Sequence, residues 1–377
     1  MNRLFIIYFF SIFLPVKTLL GLDTIAKQAI IYDVNSKSVI FEKNADELMS
    51  PSSMSKLLTV YYVFKQLKEG NITLNDKFTV SKKAWKKGGS RMFLKLNSEV
   101  SIEDLLRGII VQSGNDACIT IAEGFSGSEE NFAIELNNLA KDLGLKDSNI
   151  TNSTGWPDPD HLTTSRDLLK LALRTIEDFP DLYKLYAEKE FTYNKIRQIN
   201  RNPLLFSDSY SDGLKTGHTS LGGYGLTASS LRNNRRIIFV INGLKTNSQR
   251  KKESQRLMNV AFLQFKNILI YENKKNLNYI NVWNGKKKKL LINAEDDIII
   301  NVPKRIIKDL KFFVKHKYPL TAPISKDDKV AELLVKKNNV ILNRFPLYAS
   351  ESIEPMNFFN RTVFKFKYLI FGESIFQ

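Results

Sequence analysis

Short apolar runs punctuated by turn residues open the chain and return near residue 212, and helix-spaced apolar residues fill the stretch between them. Residues 29–33 and 39–42 flank Asn35-Ser36-Lys37, which predicts two strands joined by a turn. From Pro51 the period changes: Leu57, Leu58, Tyr61 and Phe64 fall on one face of a helix. Ser101-Ile-Glu-Asp104 resembles a capping box that opens a helix through Leu105, Ile109 and Ile110. Another helix is expected after Asn115, and a third from Ser128 to a stop at Gly144. Thr164 fits the cap of a helix carrying Leu169, Leu173 and Ile176. From Asp212 the pattern is extended, with runs 226–231 and 237–244 around the hairpin signal Asn233-Asn234, and a long helix is predicted over about 248–270. Strands that bracket a helical middle imply an α/β sandwich whose sheet joins early and late segments.

Past about residue 274 the texture changes to short β-rich runs, 279–283, 290–293, 298–302 and 340–342, separated by charged turns. This part reads as a small all-β domain, and the basic run Lys286–Lys289 reads as a solvated turn. In the last stretch Phe359, Val363, Phe366 and Ile370 share a helical face, with Arg361 and Lys365 opposite. Phe364 and Tyr368 break the stripe, so the segment fits either an interfacial membrane anchor or a packed terminal edge strand. At the other end, Asn2-Arg3 precedes an apolar run over 4–14 that Pro15 interrupts. That run is too short to cross a bilayer of about 30 Å as a helix and has the length of a secretory signal peptide. Leu19-Leu20-Gly21 is a poor small-x-small cleavage site, so the cut position stays open.

At 377 residues the chain is long enough for two folded domains. Its formal net charge of +17 favours a polyanion, whether nucleic acid, anionic lipid or an acidic wall polymer. No nucleic-acid-binding motif is present, so nucleic acid is not an expected partner. The single cysteine, Cys118, excludes an internal disulfide and lies in an apolar run, as a small buried hydrophobe does. His161, His218 and His316 are scattered, so neither a metal site nor a cofactor is expected.

Acyl transfer by serine needs a nucleophile, a base within hydrogen-bond reach and donors for the developing oxyanion. Ser53-Met54-Ser55-Lys56 meets the first two needs if it opens a helix, because residues i and i+3 share a face. There the Ser53 amide is a free donor and the helix dipole favours negative charge. A desolvated lysine near another cation also has a lowered pKa and can act as a base. Ser-x-x-Lys recurs at Ser248-Gln-Arg-Lys251, which lacks the preceding proline and the apolar continuation and reads as a helix cap. Two further motifs set the first match apart: Ser113-Gly114-Asn115 between two predicted helices, and Lys215-Thr216-Gly217 in an extended segment before the hairpin. In that order the three form the signature of penicillin-binding proteins and class A β-lactamases.

The chain closely resembles the low-molecular-mass penicillin-binding proteins that are D-alanyl-D-alanine carboxypeptidases, of the type with a C-terminal β domain and an amphipathic anchor. Beyond the trio the likeness includes Pro51-Ser-Ser-Met-Ser-Lys56, Arg91-Met-Phe-Leu-Lys95, Gln112-Ser-Gly-Asn-Asp-Ala-Cys118, Arg197-Gln-Ile-Asn-Arg-Asn202 and Asp212-Gly-Leu-Lys-Thr-Gly-His-Thr219. It implies a penicillin-binding, β-lactamase-like α/β transpeptidase domain over 22–272 after a signal peptide over 1–21, then a β-sandwich domain over 273–354 and an anchor over 355–377. It also implies export to the periplasmic face of the bacterial cytoplasmic membrane, covalent reaction with β-lactams, and peripheral contact with an anionic lipid surface.

Carried over by position, the resemblance gives Ser53 the attack on the penultimate D-alanine carbonyl of a peptidoglycan stem, and Lys56 its proton. Ser113 and Lys215 relay a proton to the departing D-alanine, and Asn115 orients Lys56 and the substrate amide. The main-chain N–H groups of Ser53 and His218 form the oxyanion hole. Thr216 and Arg250, beside Gly217, hold the terminal carboxylate, with Arg256 as the competing arginine. His161 is read as a structural loop histidine. A class A β-lactamase would carry Asp where Gly114 stands, and it lacks the β domain and apolar tail. A D,D-endopeptidase is harder to separate, and a non-enzymatic wall-binding scaffold has no need of the trio.

Overall fold

The computed structural model describes residues 22–272 and 278–376; the expected signal peptide over 1–21 lies outside them. Strand β1 (Gln28–Asp33) runs antiparallel to β2 (Ser38–Lys43) as expected. Five principal helices follow: α1 (Lys56–Lys68), α2 (Ile102–Ile110), α3 (Asn115–Ser126), α4 (Glu129–Asp142) and α5 (Ser165–Asp178). Three of them start where the caps predict: the Ser101, Ser128 and Thr164 side chains each accept the amide hydrogen three residues on. Strands β3 (Ser211–Thr219), β4 (Gly223–Arg232) and β5 (Arg235–Leu244) complete a five-stranded antiparallel sheet in the order β2-β1-β5-β4-β3. Asn233 and Asn234, at φ 48° and 61°, make the tight turn between β4 and β5.

Both faces of this sheet are buried, which is why its strands read as near-continuous apolar runs rather than a clean alternation. On β1, Ile30 points into the core shared with α1, α2 and α3, and Ala29 and Ile31 point the other way. On β5, Ile238 and Val240 face the first core while Ile237, Phe239 and Ile241 pack on Leu257, Met258 and Ala261 of α6 (Asn247–Gln264). The product is a helix–sheet–helix sandwich that unites early and late segments.

Helix α6 is shorter than its predicted span of 248–270. It stops at Gln264, and β6 (Phe265–Tyr271) leaves it directly as a strand. The apolar residues of 265–271 fit either period, and the choice is made by antiparallel pairing with a segment about thirty positions later. The β domain then contains β7 (Asn278–Trp283), β8 (Lys289–Asn293), β9 (Ile298–Pro303), β10 (Leu310–His316), β11 (Leu320–Thr321), β12 (Lys329–Lys337) and β13 (Val340–Ala349). A six-stranded sheet, β10-β12-β13-β8-β7-β11, packs against the β6–β9 ribbon. Fully buried Asp33 ties the two parts together: it accepts from Arg235 Nε at 2.6 Å, Asn267 Nδ2 at 2.9 Å and Asn301 Nδ2 at 3.3 Å. In the basic run, Lys286 pairs with Glu354 and Lys287 with Glu351, both at the surface.

The tail is the helix α7 (Phe358–Phe371), which removes the edge-strand alternative. Phe364 and Tyr368, the residues that break the apolar stripe, are the ones that dock: their rings meet Trp283 edge-on at 5.1 and 4.4 Å. The stripe itself faces outward, with Phe359 74%, Phe366 66% and Ile370 60% exposed. Among the described residues no helix is long and apolar enough to cross a membrane.

Candidate active site

Pro51 leads into a short 3-10 turn, Ser52–Ser55, that runs into α1. This puts Ser53 at the head of the helical run and Lys56 one turn later on the same face. Lys56 is fully buried. Its Nζ lies 2.8 Å from Ser53 Oγ, 2.8 Å from Asn115 Oδ1 and 2.5 Å from the Thr154 carbonyl oxygen. Burial pulls its pKa down to about 8, and the cations Arg201 and Lys87 act in the same direction.

Ser113 sits in the turn between α2 and α3 at φ 65°, 2% exposed, its hydroxyl without a partner among the described residues. Asn115 opens α3, and its Nδ2 donates to the Gly88 carbonyl at 2.9 Å, which turns Oδ1 toward Lys56. Next in the chain, buried Asp116 accepts from the amides of Met92 and Leu94 and so holds the 92–94 segment against α3.

Lys215, Thr216 and Gly217 lie on β3, the edge strand of the sheet. Gly217 lets this strand press onto the 51–55 turn, since a Cβ there would sit 2.7 Å from the Pro51 carbonyl oxygen and 3.1 Å from Met54 Cγ. Ser52 and Thr219 hydroxyls bridge the same two segments at 2.8 Å. Lys215 is 2% exposed, and burial, with Lys56 as the next cause, drives its pKa well below the ordinary lysine value.

His218 is exposed, its ring stacked on Tyr224 at 3.8 Å, and the Arg250 guanidinium lies over the same Tyr224 ring at 5.5 Å. Arg250 is 7% exposed and donates to Asn247 Oδ1 at 2.7 Å. Among the described residues no acidic side chain pairs with it, and burial lowers its pKa to about 10. Arg256 is engaged elsewhere, with Glu253 at 2.7 and 2.9 Å. Of the two candidate arginines, only Arg250 lines the cleft. That cleft has a volume of about 780 Å³ and is lined by Ser53, Ser113, Thr216, His218, Arg201 and Arg250 among others.

Two contributors were not singled out from sequence. One is the Thr154 carbonyl, a main-chain acceptor with no side-chain signature. The other is Arg201, which donates to Ser90 Oγ at 2.5 Å on the rim and stood only inside a longer matching stretch. His161 is buried in the 151–164 loop, its Nδ1 accepting from the Thr151 amide at 3.2 Å, and burial lowers its pKa to about 4. Cys118 is a buried core residue, its thiol pushed up to about 12 by desolvation. Among the described residues no cluster of His, Cys, Asp or Glu could hold a metal.

A serine next to a buried lysine at a helix N-terminus, with a second buried lysine on the sheet-edge strand that packs on that turn, defines a serine acyl-transfer enzyme of the penicillin-binding class. The peptidase S11 family, D-alanyl-D-alanine carboxypeptidase, matches residues 16–246, and the C-terminal domain of penicillin-binding protein 5 matches residues 265–355. D-alanyl-D-alanine carboxypeptidase DacC of Escherichia coli strain K12 is 38% identical over 344 residues, covering 89% of this chain and 86% of that protein. The structure of penicillin-binding protein 5 from Haemophilus influenzae superposes with a TM-score of 0.77 at 34% identity, over 88% of this chain and 98% of that one. Penicillin-binding protein D2 from Listeria monocytogenes, solved with ampicillin bound, matches 64% of this chain and 99% of that one, with a TM-score of 0.59 at 27% identity. The chain belongs to the D-alanyl-D-alanine carboxypeptidase family and is a serine-type peptidase with an α/β catalytic domain followed by a β-sheet domain.

Proposed function

We propose that Ser53 carries the acyl group when the enzyme removes the terminal D-alanine from peptidoglycan pentapeptide stems. The observation that carries this reading is the 2.8 Å contact between Ser53 Oγ and a buried Lys56 amine whose pKa is lowered to about 8. Ser53 Oγ attacks the penultimate D-alanine carbonyl while its proton passes to Lys56. The carbonyl oxygen becomes an oxyanion facing the Ser53 and His218 amides, where a single donor is typically worth about 3 kcal/mol. Collapse breaks the C–N bond, and the proton that Lys56 took from Ser53 is relayed through Ser113 and Lys215 to the leaving amine, which returns Lys56 to its neutral form for the attack of water. Water then hydrolyses the ester on Ser53. β-Lactams acylate the same hydroxyl.

A neutral amine has two N–H groups and one lone pair. The Asn115 and Thr154 oxygens are pure acceptors and take both hydrogens, which leaves the lone pair for the Ser53 hydroxyl. This arrangement is that of a general base.

Thr216 and Arg250 are the carboxylate holders in this reading, supported by a buried guanidinium that bonds Asn247 Oδ1 and has no acidic partner among the described residues. Arg250→Ala should weaken turnover of free-carboxylate peptides by about 10- to 100-fold while acylation by neutral esters falls much less. Equal losses on both substrates, measured as kcat/KM, would remove Arg250 from that role.

The catalytic unit is proposed to end at Gln264 rather than 272, because β6 pairs inside the β domain. Export through the N-terminal segment and residence at the periplasmic face of the cytoplasmic membrane are parts of the same proposal. Its support for anchoring is the outward apolar face of α7, on a short helix that also carries the bases Arg361, Lys365 and Lys367. A chain truncated before Phe358 should stop co-sedimenting with vesicles containing anionic lipid and keep its activity on soluble peptide. Unchanged sedimentation would count against the anchor.

The activity itself is tested by incubating the enzyme with a defined pentapeptide stem and, separately, a D,D-cross-linked dimer. Free D-alanine from the pentapeptide is expected. Cleavage of the cross-link alone would make the enzyme an endopeptidase.

A further inference from the structure

The Thr154 carbonyl decides where the Lys56 lone pair points. If this oxygen moved, the amine could turn an N–H toward Ser53 Oγ and present a hydrogen where the reaction needs a lone pair. Thr154 is held by its own amide and hydroxyl, which donate to Asn152 Oδ1 at 3.2 and 2.9 Å, and by three contacts on the neighbouring residues. Thr59 Oγ1 donates to the Ser153 carbonyl at 2.9 Å. Gly155, at φ 72°, lies so tightly on the nucleophile turn that a Cβ would sit 2.0 Å from the Ser52 carbonyl oxygen. The third contact comes from a separate helix: Glu129 Oε1 accepts from both the amide (3.2 Å) and the hydroxyl (2.8 Å) of Ser153.

Glu129 is the first residue of α4 and only 7% exposed, with Lys83 Nζ 3.5 Å from its other carboxylate oxygen. Among the described residues its polar partners are Ser153 and Lys83, neither of which lines the cleft. The side chain at this position is nonetheless one main-chain step from the oxygen that orients the base. A carboxylate suits the task because it only accepts, and one oxygen can take two hydrogens that the Ser153 turn would otherwise leave unpaired in the interior. We infer that Glu129 is a positioning residue for acylation, acting through the Ser153–Thr154 main chain on Lys56; the inference rests on the reading of Lys56 as the base.

The test uses the whole chain with Glu129→Ala, Glu129→Asp and Glu129→Gln, and Lys56→Met in parallel. Acylation by a fluorescent penicillin and the kcat and KM of D-alanine release from a soluble pentapeptide are measured, with thermal melts to establish the folded fraction. Glu129→Ala should lower kcat and the acylation rate about 10- to 100-fold, the size of effect that a small misplacement of a catalytic group produces. KM should change by less than about twofold, because the carboxylate pocket is untouched. Glu129→Asp keeps the charge at the helix N-terminus but withdraws the acceptor by one methylene, so it should lose activity in the same way. Glu129→Gln keeps the accepting oxygen and should recover most of the rate. Should the alanine variant not fold, the aspartate and glutamine variants decide. Wild-type acylation by folded Glu129→Asp, or a glutamine variant no better than the aspartate one, overturns the inference. If Lys56→Met acylates at the wild-type rate, the base assignment falls first and this inference with it. An inactive Lys56→Met beside a fully active Glu129→Asp overturns the positioning role alone.

Discussion

Replacing Ser53 by alanine should stop D-alanine release and β-lactam labelling together, with turnover falling by about 10⁴-fold or more. The size of the loss follows from the site. The buried Lys56 amine lies on the Ser53 hydroxyl, Ser53, Ser113 and Thr216 line one cleft with buried Lys215 next to Thr216 in the chain, and no second pair of a serine hydroxyl and a buried lysine amine is present among the described residues. The other Ser-x-x-Lys match, at Ser248, is not the cap expected of it: Thr246 caps α6 by accepting from the Gln249 amide, and Ser248 lies within the exposed first turn. Its lysine, Lys251, is exposed, whereas Lys56 is fully buried. The fold should survive the change, because a hydroxyl at the cleft surface is replaced by a smaller group. D-alanine release from Ser53→Ala at the wild-type rate would refute the assignment.

Lys56→Met separates chemistry from stability. Without the amine, acylation should fall by about 10³-fold, in the range that general-base catalysis supplies. In the wild type, the base must be neutral, and a pKa lowered to about 8 makes roughly a tenth of Lys56 neutral at pH 7. An ordinary lysine would be about 300-fold less available there. Accordingly kcat/KM should climb about tenfold per pH unit up to about pH 8 and then level off, as the free enzyme loses the Lys56 proton. For stability the sign is opposite to that of a salt-bridged lysine. A folded-state pKa below the unfolded one means that holding Lys56 costs stability at neutral pH, and this cost fades as pH rises from about 8 to the ordinary value of 10.5. The cost is on the order of 3 kcal/mol, against about 1–3 kcal/mol for each of the two acceptors, Asn115 Oδ1 and the Thr154 carbonyl, that the change leaves unpaired, or about 2–6 kcal/mol together. The two nearly offset each other, so the melting midpoint of Lys56→Met near pH 7 should move little while activity collapses. A large drop in the midpoint would show that the amine is held by contacts stronger than its burial penalty.

What could be read beforehand was whatever a few neighbouring residues decide. Ser101, Ser128 and Thr164 cap helices with their own side chains, and Asn233-Asn234 takes the positive φ that its turn requires. The three motifs were equally readable, because each is a run of side chains in order. Features set by distant partners were not. Residues 265–271 became a strand through pairing with 298–303, and Phe364 and Tyr368 became the inner face of α7 through Trp283. Strand β10 passed unrecognised because Phe312, Phe313 and Val314 are all partly open to solvent, so no alternation marks a buried face. In the site, Arg250 and Arg256 are six positions apart on one helix, and only packing against Tyr224 and Glu253 tells them apart. The Thr154 carbonyl could not be read at all, since every residue carries one.

Peptide mapping after incubation with benzylpenicillin tests the central claim most directly. The account predicts a single penicilloyl adduct on the peptide containing Ser53, formed faster as pH rises toward about 8 and lost in Lys56→Met. An adduct on any other residue, or an adduct that forms on Ser53 equally fast without Lys56, would contradict it.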